Sequence, residues 1–335
     1  MSLKTPSFWY RAPEDATSKR ERLLSPLSKI YQLFFALDQK LKKPCSVDIP
    51  ILCIGNITAG GTGKTPTSIA LLNALKHASI AQNPFFLIRG YGGAEHGPLL
   101  VDLNEHSAWD VGDEALILAK HAPTIIGGDR VASAELAIEH GADIIIMDDG
   151  LQNPSIHKDL KFVVINGEMG FGNQKLMPAG PLRQPLAQGL AIADAFIIIG
   201  ADHHNTQQHL PEDKPVLYAQ LQNARNYTPD TQKPYIAFAG LGYPDKFFNF
   251  LKSSMGMNII DTIPFGDHHP YDSQDLLKLY EQAQTQKATL LTTEKDFMRL
   301  PEIDGITVET IPVEMIWDDT DALLSVVKNA LGTQI

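Results

Sequence analysis

The chain has 335 residues, 44% of them hydrophobic and 20% charged, with a formal net charge of −11. That length supports two domains with a buried core, and the acidic balance speaks against a general nucleic-acid binder. Two cysteines, Cys45 and Cys53, exclude a disulfide framework or a cysteine metal cluster, and no apolar run reaches the roughly 20 residues that span a bilayer.

The charge is unevenly spread. Residues 1–43 carry nine Lys or Arg against four Asp or Glu, a balance of +5, which leaves −16 on the other 292 residues. Within this basic arm, Ser25 reads as a helix cap and Pro26 as the first helical residue. Leu27, Ile30, Tyr31, Phe34, Leu37 and Leu41 then recur at helical spacing, widened by Leu33 and Phe35. Such an amphipathic helix fits packing on its own domain. The pattern favours that packing, and the lysines Lys29, Lys40, Lys42 and Lys43 bring closer the alternative of an interfacial helix lying on anionic head groups. The region also lacks a small-residue cleavage site, so no signal peptide is expected and the chain reads as cytoplasmic.

Residues 44–215 alternate short apolar runs with helical stretches, beginning "IPILCIG", "TPTSIALLNALKHA", "PFFLIRG" and "GDEALILAKHA". This rhythm predicts an α/β domain with a doubly wound, mostly parallel sheet, whose ligands gather at the carboxyl ends of the strands. A polar stretch, 216–232, reads as a linker. Residues 233–335 repeat the strand–helix habit and predict a second, smaller α/β domain across a cleft from the first.

Between the first strand and the first helix of the larger domain lies "GNITAGGTGKTP", Gly55 to Pro66. Thr58 stands where the usual G-x-x-x-x-G-K-[ST] pattern has its first glycine, but Gly60, Gly61, Thr62, Gly63, Lys64 and Thr65 satisfy the variant G-G-x-G-K-[ST]. Backbone N–H groups of the glycines can turn toward phosphate, Lys64 can reach the β- and γ-phosphates, and the Thr65 hydroxyl can ligate Mg²⁺. The segment is a phosphate loop, and it implies a nucleotide with Mg²⁺. Such a site needs an acid at the end of a neighbouring strand. "DIIIMDDGLQ" supplies Asp148, placed in the Mg²⁺ environment, with Asp149 as the second candidate.

Other residues stay open on pattern alone. Asp113 in "VGDEALIL" has the position of a helix N-cap, and Glu114 that of a first-turn acid favoured by the helix dipole. Arg89 and Tyr91 follow a strand end, where an anion site and a plain turn look alike. Asp-His-His occurs at 202–204 and at 267–269, and neither string completes a metal cluster by spacing. "LLTTEKDF" approaches the N/T-K-x-D guanine signature, but Lys295 and Asp296 are adjacent, which argues against GTP.

Taken in order, "GNITAGGTGKTP", "RGYGG", "VGDEA", "DDGLQ", "FGNQKLMPAGPLRQP", "AFAGLGYPDKFF", "FGDHHPY" and "TTEKD" resemble the tetraacyldisaccharide 4′-kinase family, the lipid A 4′-kinases of Gram-negative bacteria. The resemblance spans roughly residues 20–300. It implies transfer of the γ-phosphate of ATP to the 4′-hydroxyl of tetraacyldisaccharide 1-phosphate, giving the 1,4′-bisphosphate lipid. It also implies a peripheral enzyme on the cytoplasmic side of the inner membrane, held by an anionic membrane surface, with no nucleic acid or obligate protein partner. That raises the interfacial reading of the basic arm. Carried over by motif, Asp113 is the general base working with His268, while Arg89, Tyr91 and Arg183 line the substrate side. The chain departs from the family pattern at Ala115, Gln184 and Asn153, and the last two are given no catalytic role.

Overall fold

The structure, a computed structural model, describes residues 6–12, 15, 17–224, 227–242 and 244–332. A short 3-10 turn, Ser7–Tyr10, precedes α1 (Lys19–Leu41). The larger unit then runs through β1 (Ile51–Gly55), α2 (Lys64–His77), β2 (Pro84–Ile88) and the two-residue β3 (Leu99–Leu100). It continues with α3 (Ala108–Val111), α4 (Asp113–Ala119), β4 (Thr124–Ile126), α5 (Arg130–Glu139) and β5 (Ile144–Asp148). Next come β6 (Leu160–Asn166), α6 (Leu186–Ile192), β7 (Ala195–Ile199) and β8 (Val216–Asn223). The smaller unit contains β9 (Tyr235–Ala239), α7 (Pro244–Asn249), β10 (Ile259–Pro264), α8 (Ser273–Gln286), β11 (Thr289–Thr293), α9 (Glu294–Phe297) and β12 (Val308–Ile311). The chain ends in β13 (Val313–Trp317) and α10 (Thr320–Leu331).

Nine strands form one sheet in the order β13-β8-β7-β6-β1-β5-β2-β4-β3. Only its two edge pairings, β3 with β4 and β13 with β8, are antiparallel. The central strands are buried on both faces, as their continuous apolar runs require in a doubly covered parallel sheet. Alternation splits their side chains: Leu52 and Ile54 join the core on one face, Ile51 and Cys53 the core on the other. Because β2, β5 and β1 are parallel neighbours, the ends of all three deliver Arg89, Asp148 and the phosphate loop to one rim. A second, four-stranded parallel sheet, β10-β9-β11-β12, carries its own cores on two faces.

The α/β architecture is the one expected, but its boundaries differ. Residues 216–232, read as a linker, begin with β8, a full member of the nine-stranded sheet. Residues 233–335 do not stay together either. After β12 the chain breaks at Pro312, and β13 returns to pair with β8 while α10 packs on α2 and β6. Proline removes a ladder donor at the changeover, and Met315, Leu323 and Val327 bury in the larger core.

The N-terminal helix starts earlier than its proline suggests. Ser18 is the N-cap, its Oγ accepting from Glu21 N at 3.2 Å, so Pro26 lies inside α1. Glu21 is buried and paired with Lys175 at 2.6 Å, which fixes this early turn to the body. The polar side of α1 does the docking: Ser28 Oγ donates to Leu176 O at 2.8 Å, and Tyr31 Oη to Arg183 O at 2.7 Å. Its apolar side faces outward, with Leu23, Leu27, Ile30, Leu33, Phe34, Leu37 and Leu41 all exposed. Among the described residues, no helix is long and apolar enough to cross a membrane.

Candidate active site

The phosphate loop is built by β1 running into the N-terminus of α2. Gly60 and Gly63 take φ of 113° and 90°, the left-handed side that L side chains avoid. A Cβ on Gly63 would come within 2.8 Å of Ile199 Cδ1, which the flexible end of that side chain can relieve, so it is the backbone conformation that calls for glycine there. Asn56 braces the loop from inside, its Nδ2 donating to Thr58 O at 2.6 Å and to Thr62 Oγ1 at 2.9 Å. From outside, Ala59 N bonds Pro181 O and Arg183 N bonds Ile57 O, so the "PLR" segment lies along the loop.

At the end of β5 the two acids take different partners. Thr65 Oγ1 donates to Asp148 Oδ2 at 2.8 Å, and Asp148 Oδ1 is buried with no hydrogen-bond partner. Burial, then the charge of Glu114, pushes the Asp148 carboxyl well above the usual range. A buried carboxylate oxygen without a donor beside a threonine hydroxyl fits a hard cation, which takes a few protein oxygens and completes its shell from phosphate and water. Asp149, at φ 53°, points elsewhere: Lys64 Nζ lies 3.5 Å from its Oδ2 and Arg183 Nη1 2.8 Å from its Oδ1. Burial opposes its ionisation, but Lys64 and Arg183 outweigh that and hold its pKa below the usual value. Thr65 and Asp148 are thus the oxygens that could hold a divalent cation, while Asp149 is engaged by Lys64 and Arg183.

Asp113 is the first residue of α4, and Gly112 at φ 86° is the N-cap, so the capping role left open by the sequence does not apply. A Cβ on Gly112 would meet Tyr91 O at 2.5 Å; this glycine lets the Arg89–Gly93 loop close against the helix start. Asp113 is buried, and its Oδ1 accepts from Glu114 N at 2.8 Å. Its Oδ2 meets the smaller unit, 3.4 Å from His268 Nδ1 and 3.1 Å from Arg299 Nε. Burial opposes the Asp113 charge, but His268, Lys295 and Arg299 outweigh it and keep the carboxyl below the usual range. The exposed Tyr91 ring sits edge-on to His268, centroids 5.7 Å apart, and Arg89 is exposed just before it. A second contact between the units, Lys295 Nζ to Glu114 Oε1 at 2.7 Å, flanks the first.

The structure therefore gathers Lys64, Thr65, Asp148, Asp149 and Arg183 around the loop, and Asp113, His268 and Tyr91 in a second cluster at the same rim, with Glu114 close enough for its charge to act on Asp148. The sequence assigns no site role to Lys295, Asp296 or Arg299: "TTEKD" serves there only against a guanine signature and as a family motif, and Arg299 lies three residues beyond it. Gln184 and Asn153 have structural partners: Gln184 Oε1 accepts from Gln152 Nε2 at 3.2 Å, and Asn153 Oδ1 from Ser155 N at 2.9 Å.

A family model described as tetraacyldisaccharide-1-P 4′-kinase matches residues 20–332. A relative from Gluconacetobacter diazotrophicus, named tetraacyldisaccharide 4′-kinase, is 44% identical over 298 residues, covering 89% of this chain and 90% of its own length. Proteins of the same name from Rhodospirillum centenum and Xanthobacter autotrophicus are 39% and 42% identical, each over at least 95% of both chains. In fold, the chain is similar to a crystal structure of LpxK from Aquifex aeolicus in complex with ATP. The TM-score is 0.75 at 24% identity, covering 93% of this chain and 99% of that one.

Proposed function

This chain belongs to the tetraacyldisaccharide-1-P 4′-kinase family, and we propose that it runs the family's reaction with Asp113 as base, assisted by His268 from the smaller unit. The enzyme transfers the γ-phosphate of ATP to the 4′-hydroxyl of tetraacyldisaccharide 1-phosphate, forming the 1,4′-bisphosphate in lipid A biosynthesis. The observation that carries the assignment of roles is the meeting of Asp113 with His268 at the rim that also holds the phosphate loop.

Phosphoryl transfer needs little covalent help; the protein must aim the hydroxyl, take its proton and hold the charge of the transferring group. Asp113 Oδ2, ionised at neutral pH, receives the proton of the sugar 4′-hydroxyl as the new O–P bond forms and the bond from Pγ to the bridging oxygen of ADP breaks. His268 holds the carboxylate from the other side of the cleft, so the base is complete only with the two units together. Lys64 meets the β- and γ-phosphates, exchanging Asp149 for the stronger phosphate charge. Mg²⁺, held by Thr65 and Asp148, supplies further neutralisation of phosphate charge when bound. Arg183, with its fork of donors beside Asp149, and Arg89 and Tyr91 at the mouth, hold the phosphorylated disaccharide.

The acyl chains of this substrate belong in a bilayer, and α1 suits that surface. Its polar side is fastened to the body, its row of exposed leucines and Phe34 faces outward, and Lys29, Lys40, Lys42 and Lys43 surround it. This supports a peripheral enzyme on the cytoplasmic face of the inner membrane. The reading is tested with purified protein, Mg²⁺, γ-labelled ATP and tetraacyldisaccharide 1-phosphate in detergent. Label in a bisphosphate lipid is the expected result; ATP turnover without label in lipid would point to another acceptor.

A further inference from the structure

The proposed reaction leaves "TTEKD" unused, although its Thr292 and Asp296 are fully buried in the smaller unit. Asp296 lies on α9. Its Oδ1 accepts from Gly240 N at 2.8 Å, from Tyr271 Oη at 2.9 Å and from Arg299 Nη2 at 2.8 Å. Its Oδ2 accepts from Thr293 Oγ1 at 2.6 Å. Four donors on one buried carboxylate make it a fixed anchor. The anchored partner, Arg299, is itself only 9% exposed and is spread over three elements. Nη1 donates to His269 O at 3.0 Å, Nη2 also reaches Gly240 O at 3.3 Å, and Nε, which donates to Lys295 O at 3.4 Å, lies 3.1 Å from Asp113 Oδ2 in the other unit as a charge contact.

One guanidinium thus touches Asp113, the backbone directly after His268, and the buried Asp296. We propose that Arg299, locked in place by Asp296, is a positioning residue for the phosphoryl transfer. It draws the Asp113 carboxylate onto the smaller unit and sets the His268 loop against it. The inference rests on the assignment of Asp113 as base.

Geometry favours arginine in this role. Its planar fork holds Asp296 and the His269 and Gly240 carbonyls by directed hydrogen bonds while its charge lies against Asp113, which a single ammonium does not manage. His268 sits at φ 52°, in the left-handed region that resists an L side chain, and the hydrogen bond from Arg299 to the next carbonyl braces that turn. The charged groups facing Asp113 are His268 from the β10–α8 loop, Lys295 of α9, Arg299 just beyond it, and neighbouring Glu114. Removing Arg299 takes one cation from this set and leaves the burial of Asp113 less opposed, so its pKa rises.

The test is kcat, and KM for ATP and for lipid, measured across pH for Arg299→Met, Arg299→Lys and Asp113→Asn. For folded Arg299→Met, kcat is expected to fall by about 10²-fold, the worth of a misplaced catalytic group. The acid limb of its kcat profile should move up by roughly one pH unit, with KM for ATP near wild type. Arg299→Lys keeps charge but not the fork, so it should recover part of kcat with a limb between the other two. If Arg299→Met shows no cooperative thermal transition, Arg299→Lys decides alone. A lower kcat with a raised limb then supports the role, and either one unchanged overturns it. In folded Arg299→Met, lost kcat with an unmoved limb would mean a merely structural arginine. A limb that persists unmoved in Asp113→Asn sinks the base assignment itself. A limb abolished there but unmoved in Arg299→Met sinks only the role given to Arg299.

Discussion

Lys64 Nζ lies 3.5 Å from Asp149 Oδ2, so the phosphate-binding lysine is already held by an acid at the end of the neighbouring strand. The lysine is one of two cations on that carboxylate, the other being Arg183 at 2.8 Å. Lys64→Ala removes the charge meant for the β- and γ-phosphates and touches no apolar core. Transfer should fall by at least about 10²-fold, with the thermal transition close to wild type. Near-normal transfer would remove the role given to Lys64.

Asp113→Ala should lower kcat by about 10²–10⁴-fold, the usual worth of a general base. Steady-state kinetics with ATP and lipid varied separately decide the point. If only KM for ATP changed, Asp113 would be a nucleotide-positioning group.

The same carboxylate carries a stability signature. Its pKa is lowered in the folded protein despite burial, because His268, Lys295 and Arg299 favour the ion. Its stabilising effect is therefore fully present above the ordinary carboxylate pKa and is lost as pH falls through the lowered folded value. Wild-type melting temperature should decline as pH drops through that acidic window, and Asp113→Asn should decline less. Parallel declines would mean that the ionised Asp113 carboxylate contributes nothing to folding.

Gly63→Ala places a side chain at φ 90°, with its Cβ 2.8 Å from Ile199 Cδ1. Left-handed backbone costs a residue with Cβ about 1–2 kcal/mol, and the loop amides lose their aim. Calorimetric titration with ATP should show weakened binding alongside a modestly lowered melting temperature. Unchanged affinity would mean that the loop does not need this conformation.

Leu33 and Phe34 are exposed on α1, so Leu33→Ser with Phe34→Ser removes apolar surface without opening a cavity. Co-sedimentation with vesicles containing anionic lipid should weaken several-fold, by the ~25 cal/mol per Å² of buried apolar area, while activity on detergent-dispersed substrate persists. Undiminished binding would take the membrane contact away from this face.

How much of this was legible beforehand follows from how far apart the determining residues lie. The phosphate loop is a strand, a glycine turn and a helix written within one short stretch, and the apolar run ending at Asp148 marks its partner strand. Both are set by local sterics and by the need to bury a strand on two faces, so composition and spacing reveal them. The helix start at Ser18 is also local, an S-x-x-E capping signal at Ser18 and Glu21 that lies ahead of Pro26.

What the sequence by itself determined is therefore the α/β class, the phosphate loop and its hydroxyl and acid, and the amphipathic character of α1. Tertiary structure alone decided which side of α1 faces out, since that depends on where Ser28 and Tyr31 find carbonyl partners. It also decided that β13 crosses back to pair with β8, and that Asp149 answers to Lys64 and Arg183 while Asp148 keeps an oxygen free. Above all, it brought Arg299 and His268 to Asp113. Those contacts join residues on separate sheets; their energy comes from burial and charge pairing that exist only once both sheets have formed, and no local pattern records them.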